Sequence, residues 1–329
     1  ICKGGLFPNQ IRNGEINMKI GIQTGGIFEQ IGVEKGFETI AAAGFDCIDL
    51  NLDAMLGLQW NEMREGKPSE FFFNKEIYER YAEEIIAASK KTGVTVGQAH
   101  APFPLHMRGC EEANRNGLEY AKVCIRICQM CGCKKLIIHP SFEGSMRLNP
   151  SSKEEEWEVN IAFYRELIPL LKECGVICCL ENMWGQNWKT KKIYMGICSD
   201  MGETNRYIDT LNELAGEPLF GFCLDIGHLT LLGLDCYPAI KTLGNRLVTL
   251  HIHDNDGAGD EHEMPFTGVT IWNRFIRGLA EIGYEGTLSF ESAESQRKVP
   301  VELLPAVLSY TAQIGRYFDK KITELKEAK

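Results

Sequence analysis

The sequence predicts a single (β/α)8 TIM barrel of the α/β class. Three observations carry this: short apolar runs alternate with longer amphipathic ones eight times, several apolar runs end in a carboxylate or imidazole, and glycines precede strand after strand. The strands read as MKIGIQ at 18–23, CIDLNL at 47–52, VTVGQAH at 94–100, KLIIHP at 135–140, VICCLE at 176–181, FGFCLD at 220–225, LVTLHIH at 247–253 and TLSFE at 287–291. Between them, stretches such as 75–92, 111–131, 154–174, 200–215 and 272–282 show helical periodicity. Near-continuous apolar strands in eight βα units favour a closed parallel barrel over an open sheet. A doubly wound dinucleotide fold is disfavoured, because QTGGIFEQIG rather than a Gly-x-Gly-x-x-Gly turn follows the first strand.

Glycines in AAAGFD, KKTGVT, KECGVI and EIGYEG sit where helices must end, and so mark the stabilising rim of the barrel. The catalytic rim is then the opposite one. Its longest loops, 53–74, 141–152, 182–199 and 254–271, carry Trp60, Trp184, Trp188 and the basic run Lys189, Lys191, Lys192, and are expected to form the pocket and its lid. The first 17 residues hold no apolar stretch long enough for a signal peptide or membrane span and are expected to lie outside the fold, with residues 18–329 forming the catalytic barrel.

With 35 basic and 45 acidic residues the formal charge is −10, which disfavours a broad cationic face for a nucleic-acid backbone. Thirteen cysteines would suggest disulfides in a short secreted chain, but here they lie inside apolar patterns such as VICCLEN, so a reducing cytoplasm is expected. The cluster Cys128, Cys131, Cys133 lacks a second pair at zinc-site spacing and reads as buried structural thiols.

Five side chains stand at or just beyond the ends of apolar runs: Glu181, Asp225, His228, His251 and Glu291. A parallel strand delivers its last side chain to one rim, so such residues converge. Carboxylate and imidazole donors suit one divalent ion such as Mn2+, Mg2+, Co2+ or Zn2+. Any one carboxylate taken alone reads equally well as the cap of the following helix.

The ordered motifs AHAPF, IIHP, LEN, CLDIGH, HIHDND and DEH resemble the xylose-isomerase-like barrel superfamily, from Met18 to about Gly315. That superfamily contains sugar isomerases and epimerases, inosose dehydratases and endonuclease IV. The resemblance to its sugar epimerases implies a metal held by Glu181, Asp225, His251 and Glu291, proton transfer by Glu181 and Glu291, and substrate binding by His228. The expected activity is therefore that of a sugar or sugar-phosphate isomerase or epimerase working through a metal-stabilised enediolate. His100, His139 and His262 are expected to line the pocket, with Trp184 against the sugar.

Two alternatives stay open. A dehydratase or lyase acting on a keto-sugar or inosose would use the same enediolate, with His139 as base or acid. The resemblance to endonuclease IV implies a three-zinc abasic-site nuclease whose nine ligands would be His100, His139, Glu181, Asp225, His228, His251, Asp260, His262 and Glu291, all present here. Departures from the nuclease are HIHDND for an expected HLND and CLDIGH for CLDTCH. In the sugar-isomerase-like pattern, Phe266 and Thr267 replace a glycine and an acidic residue, and Ile271 an aspartate, which alters the expected loop. A non-catalytic sugar-binding barrel is opposed by the paired carboxylates. The expected partner is a small sugar or sugar derivative, with neither nucleic acid nor membrane; a homo-oligomer is compatible with the fold.

Overall fold

The computed structural model describes residues 18–142, 151–187 and 189–328. The expectations for residues 1–17 and for Trp188 fall outside these. Eight parallel strands are present: β1 Ile20–Gln23, β2 Cys47–Asn51, β3 Thr95–His100, β4 Lys135–Ile137, β5 Ile177–Glu181, β6 Phe220–Asp225, β7 Leu247–His251 and β8 Leu288–Phe290. Each pairs with its sequence neighbour, and β8 pairs with β1. The ring closes between β7 and β8 where Ile252 bridges Phe290, its N–H donating to Ser289 O at 2.9 Å. The chain is thus a (β/α)8 barrel, as the alternation predicts.

The main helices following the strands are α1 Val33–Ala43, α2 Lys75–Thr92, α3 Glu111–Cys131, α4 Lys153–Cys174, α5 Met201–Ala215, α6 Cys236–Leu243, α7 Trp272–Ile282 and α8 Leu304–Glu327. The four glycines expected as helix stops, Gly44, Gly93, Gly175 and Gly283, are all left-handed, with φ of 98°, 78°, 61° and 70°, where a Cβ would be strained. Two strands end two or more residues before the expected position. β4 ends at Ile137 and β7 at His251; beyond β7 the chain turns back on itself, as Asp254 pairs antiparallel with Glu263.

Alternation along each strand divides two interiors. Outward side chains such as Ile48, Leu50, Leu136, Leu180 and Leu224 pack into the large apolar layer beneath the helices. Inward ones fill the barrel itself, and Ile137, Cys179 and Cys223 from β4, β5 and β6 form a small apolar cluster there. On other strands the interior is polar, with Asp49 on β2, Gln98 on β3 and Thr249 on β7 all buried. The twelve described cysteines are free thiols and ten are buried. Cys128 is pushed well above the usual thiol range by its hydrogen bond with Cys133 and by burial, and burial raises Cys131 to about 12, so these two are thiols rather than thiolates.

Two of the long rim loops contain short regular elements. Residues 53–74 contain the short helices Trp60–Arg64 and Glu70–Phe73, with Trp60 exposed. Residues 182–199 form a two-stranded hairpin, Trp184–Gln186 against Ile193–Met195.

Candidate metal and proton-transfer centre

Strand ends place the chemistry. His100, Glu181, Asp225 and His251 are the last residues of β3, β5, β6 and β7, Glu291 follows β8, and His139 lies two residues beyond β4. Glu181, Asp225, His251 and Glu291 are buried, and one ligand atom from each lies within 4.8 Å of the others. His251 Nδ1 lies 3.1 Å from both Glu181 Oε1 and Glu291 Oε2. Gln23, the last residue of β1, donates to Glu291 Oε1.

This donor set fits a divalent ion on physical grounds. Three buried carboxylates converge, and among the described residues each ion-pairs with histidines alone. Collecting carboxylates away from water is costly without a compensating cation. A divalent cation supplies that compensation, and three carboxylate oxygens with one imidazole nitrogen are donors it accepts.

The neighbours of these groups also shift their titration. Burial disfavours imidazolium, yet Cys223, Glu181, Glu291 and the hydrogen bond to Asp49 push His251 well above its ordinary value. Burial likewise opposes ionisation of Glu181, but His251 and His139 hold it well below the usual carboxylate range. His100 moves the other way, lowered by burial and by neighbouring His139. Its Nδ1 lies 2.7 Å from the Ala101 carbonyl, which can only accept, so the Nε2 lone pair faces His139 Nε2 at 2.9 Å. His139 Nε2 is also 3.0 Å from Glu181 Oε2, bringing His100, His139 and Glu181 into a second group of convergent ligands.

Asp225 is the cap of the helix that follows it and also belongs to the convergent ligand group. Its Oδ1 caps the short helix Ile226–Leu231, accepting the His228 N–H at 2.6 Å, while Oδ2 faces His253 Nε2 at 3.0 Å. Asn182 clamps its backbone in both directions, at 2.8 and 2.9 Å. A third group joins His228, His253, Asp260 and His262. There Asp260 Oδ2 receives Trp184 Nε1–H at 3.1 Å and faces His228 Nε2 and His262 Nε2 at 3.3 Å each. Asp260 and nearby carboxylates push His228 well above its ordinary value and, against the opposing effect of burial, raise His262 to about 10.

A family model described as xylose isomerase-like TIM barrel matches residues 37–310. The chain belongs to that family. An uncharacterized protein of Methanocaldococcus jannaschii is 24% identical over 288 residues, 84% of each chain. Among solved structures, a D-tagatose 3-epimerase-like protein superposes with TM-score 0.67 at 18% identity over 93% of this chain and 99% of its own. The 3-keto-D-glucoside 4-epimerase of E. coli superposes with TM-score 0.64 at 18% identity over 90% and 99%. At such identities these structures carry the fold.

Within this family barrel, all nine residues of the larger candidate set meet at one mouth, distributed over three of five ligand groups among the described residues. Trp184 reaches the site through its indole N–H. Phe103, half-exposed, packs against the His139 ring with centroids 4.9 Å apart.

The loop whose shape the substitutions at 266 and 267 put in question is held together by Asp254. Its carboxylate accepts the N–H groups of Phe266 at 3.0 Å and Thr270 at 3.1 Å and the Trp272 Nε1–H at 3.1 Å. Phe266 takes a left-handed φ of 74°, a conformation suited to the glycine that the pattern leads one to expect there, and packs against Trp272 and Phe318.

Sequence reasoning missed four participants: Gln23, Asp49, Asn182 and His253. Asp49 was hidden inside a strand run, Gln23 ended one as a neutral amide, Asn182 stood in LEN and His253 in HIHDND. For Asp49 and His253 the available signal was parity, since Asp49 alternates with outward Ile48 and Leu50, and His253 shares the parity of His251.

Proposed function

We propose that the protein is a sugar or sugar-phosphate isomerase or epimerase that depends on one divalent ion held by Glu181, Asp225, His251 and Glu291. The carrying observation is the pair Glu181 and Glu291, on strands separated by β6 and β7, each with an oxygen 3.1 Å from His251 Nδ1. Two carboxylates reaching one point from separate strands suit removal of a proton from carbon beside a carbonyl and its return at the same or the neighbouring carbon. The ion, when bound, would polarise the carbonyl and hydroxyl oxygens and stabilise the enediolate.

The remaining work falls to the chain. Gln23 orients Glu291, and His139 holds Glu181 through Oε2. The imidazoles of His228 and His262, fixed by Asp260, would donate to substrate hydroxyls, with His100 and Trp184 lining the same mouth. Structures similar in fold include the E. coli 4-epimerase above, the D-tagatose 3-epimerase-like protein and a D-allulose 3-epimerase in complex with D-allulose, which points to ketoses as the first substrates to assay.

One observation favours a second reading. Three of the five ligand groups among the described residues together contain all nine candidate ligands, enough for the cluster a three-ion phosphodiesterase would use, although the charge of −10 opposes binding of a DNA backbone. Elemental analysis of the purified protein decides between them. One ion per chain supports the sugar enzyme; three ions with cleavage of abasic DNA overturn it.

A further inference from the structure

Asp49 is an unusual residue to find inside this barrel. It sits in the middle of β2, fully buried, and among the described residues its ion-pair partner is His251 alone. Asp49 Oδ2 lies 3.0 Å from His251 Nε2 and accepts Gln98 Nε2–H at 2.8 Å, while Oδ1 has no partner. Gln98 cannot turn freely, because its Oε1 accepts the Thr249 hydroxyl and its amide nitrogen also approaches Leu250 O at 3.4 Å. The amide N–H is therefore aimed at Asp49, and the carboxylate at the imidazole. Three strands, β2, β3 and β7, hold this chain together below the rim.

We infer that Asp49 is a positioning residue for the metal centre: it holds the proton of His251 on Nε2, so that the Nδ1 lone pair is presented to the ion among Glu181, Asp225 and Glu291. A carboxylate can only accept from the imidazole, so a neutral His251 bonded to Asp49 carries its hydrogen on Nε2. Nδ1 is the nitrogen that faces Glu181 and Glu291. The buried anion also makes the imidazole a stronger donor, as carboxylates behind metal-bound histidines do. This accounts for a carboxylate kept in the barrel interior at the cost of its desolvation.

The inference rests on reading Glu181, Asp225, His251 and Glu291 as a metal site, and the test separates the two. Metal-free protein is titrated with Mn2+ and the free ion followed by electron paramagnetic resonance. Asp49→Asn, which keeps the volume and removes the charge, is expected to weaken Mn2+ binding about 10- to 100-fold, with the metal-free variant still folded by far-UV circular dichroism. Gln98→Met, which frees the Asp49 carboxylate to turn, is expected to weaken binding by less.

The wild-type chain supplies a readout independent of any variant. Long-range nitrogen–proton spectra of 15N-histidine-labelled, Zn2+-loaded protein should show His251 protonated on Nε2 with Nδ1 bound. A hydrogen on Nδ1, or Asp49→Asn protein that binds Mn2+ within twofold of wild type, overturns the role of Asp49 alone. Wild-type protein that takes up no Mn2+ overturns the metal site with it.

Discussion

Replacing Gly227 by alanine adds one methyl group at the point where the site has no room for it. An ideal Cβ there would stand 1.9, 2.2 and 2.5 Å from Cε1, Nδ1 and Nε2 of His253. Restoring ordinary contact at about 3.5 Å requires the ring to move by about 1.5 Å. The His262 ring stacks on it with centroids 4.1 Å apart, closing one face, and the Gly227 carbonyl is fixed by Asn255 Nδ2–H at 2.8 Å. A shift of that size breaks the 3.0 Å contact between His253 Nε2 and Asp225 Oδ2. Overpacking costs about 1–3 kcal/mol, and loss of a hydrogen bond to a charged carboxylate about 1.5–3 kcal/mol. Gly227 lies in the short helix Ile226–Leu231 without a left-handed φ, so alanine itself would otherwise favour the helix by up to about 1 kcal/mol.

The net expectation is destabilisation of about 2–5 kcal/mol, a fall in melting temperature of roughly 3–7 °C for a chain of 329 residues, together with weaker divalent-ion binding as Asp225 loses its support. Thermal unfolding of the metal-free protein and Mn2+ titration read the two effects. The double variant with His253→Ala isolates the cause: once the ring is gone, Gly227→Ala should cost nothing further. A Gly227→Ala protein that melts within a degree of wild type, or a double variant that shows the two losses adding, would refute this reasoning.

Other outcomes follow from the same geometry. Glu181→Gln and Glu291→Gln should each reduce proton exchange between bound ketose and solvent by about 10²- to 10⁴-fold while leaving far-UV circular dichroism unchanged. Metal uptake should release protons, because His251 is held protonated in the metal-free site and must give up its Nδ1 hydrogen to bind; apparent Mn2+ affinity should rise with pH from the ordinary histidine range upward, and calorimetry in buffers of different ionisation heat measures the release. His262, raised to about 10 in the folded metal-free protein, contributes stability that is complete below about 6.5 and lost as pH rises through about 10. Melting curves of metal-free wild type and His262→Gln should therefore converge toward high pH.

Much of the site was legible because a parallel barrel turns sequence position into spatial position. A residue that ends an apolar run reaches the rim wherever its strand stands in the ring, so Glu181, Asp225, His251 and Glu291 could be placed without knowing the barrel's dimensions. Asp260 and His262 came from the family's ordered motifs rather than from spacing. Asp49 and His253 were not found, for different reasons. Asp49 lies in mid-strand, and its meeting with His251 joins β2 to β7, a pairing that depends on how deep each inward side chain sits. His253 follows the end of its strand, where the chain reverses through the Asp254–Glu263 bridge, and its place against Gly227 comes from that reversal. The loop at 266 shows the opposite case: the motif was altered, yet Asp254 holds the turn and Phe266 accepts a glycine-like φ.

Incorporation of solvent deuterium at the carbon beside the carbonyl, across a panel of ketoses and their phosphates, tests the central claim most directly. Protein loaded with one Mn2+ per chain should label at least one of these sugars, and should stop on chelation and in Glu181→Gln and Glu291→Gln. Folded, metal-loaded protein that labels none of them, or variants of both glutamates that label as fast as wild type, would contradict the account.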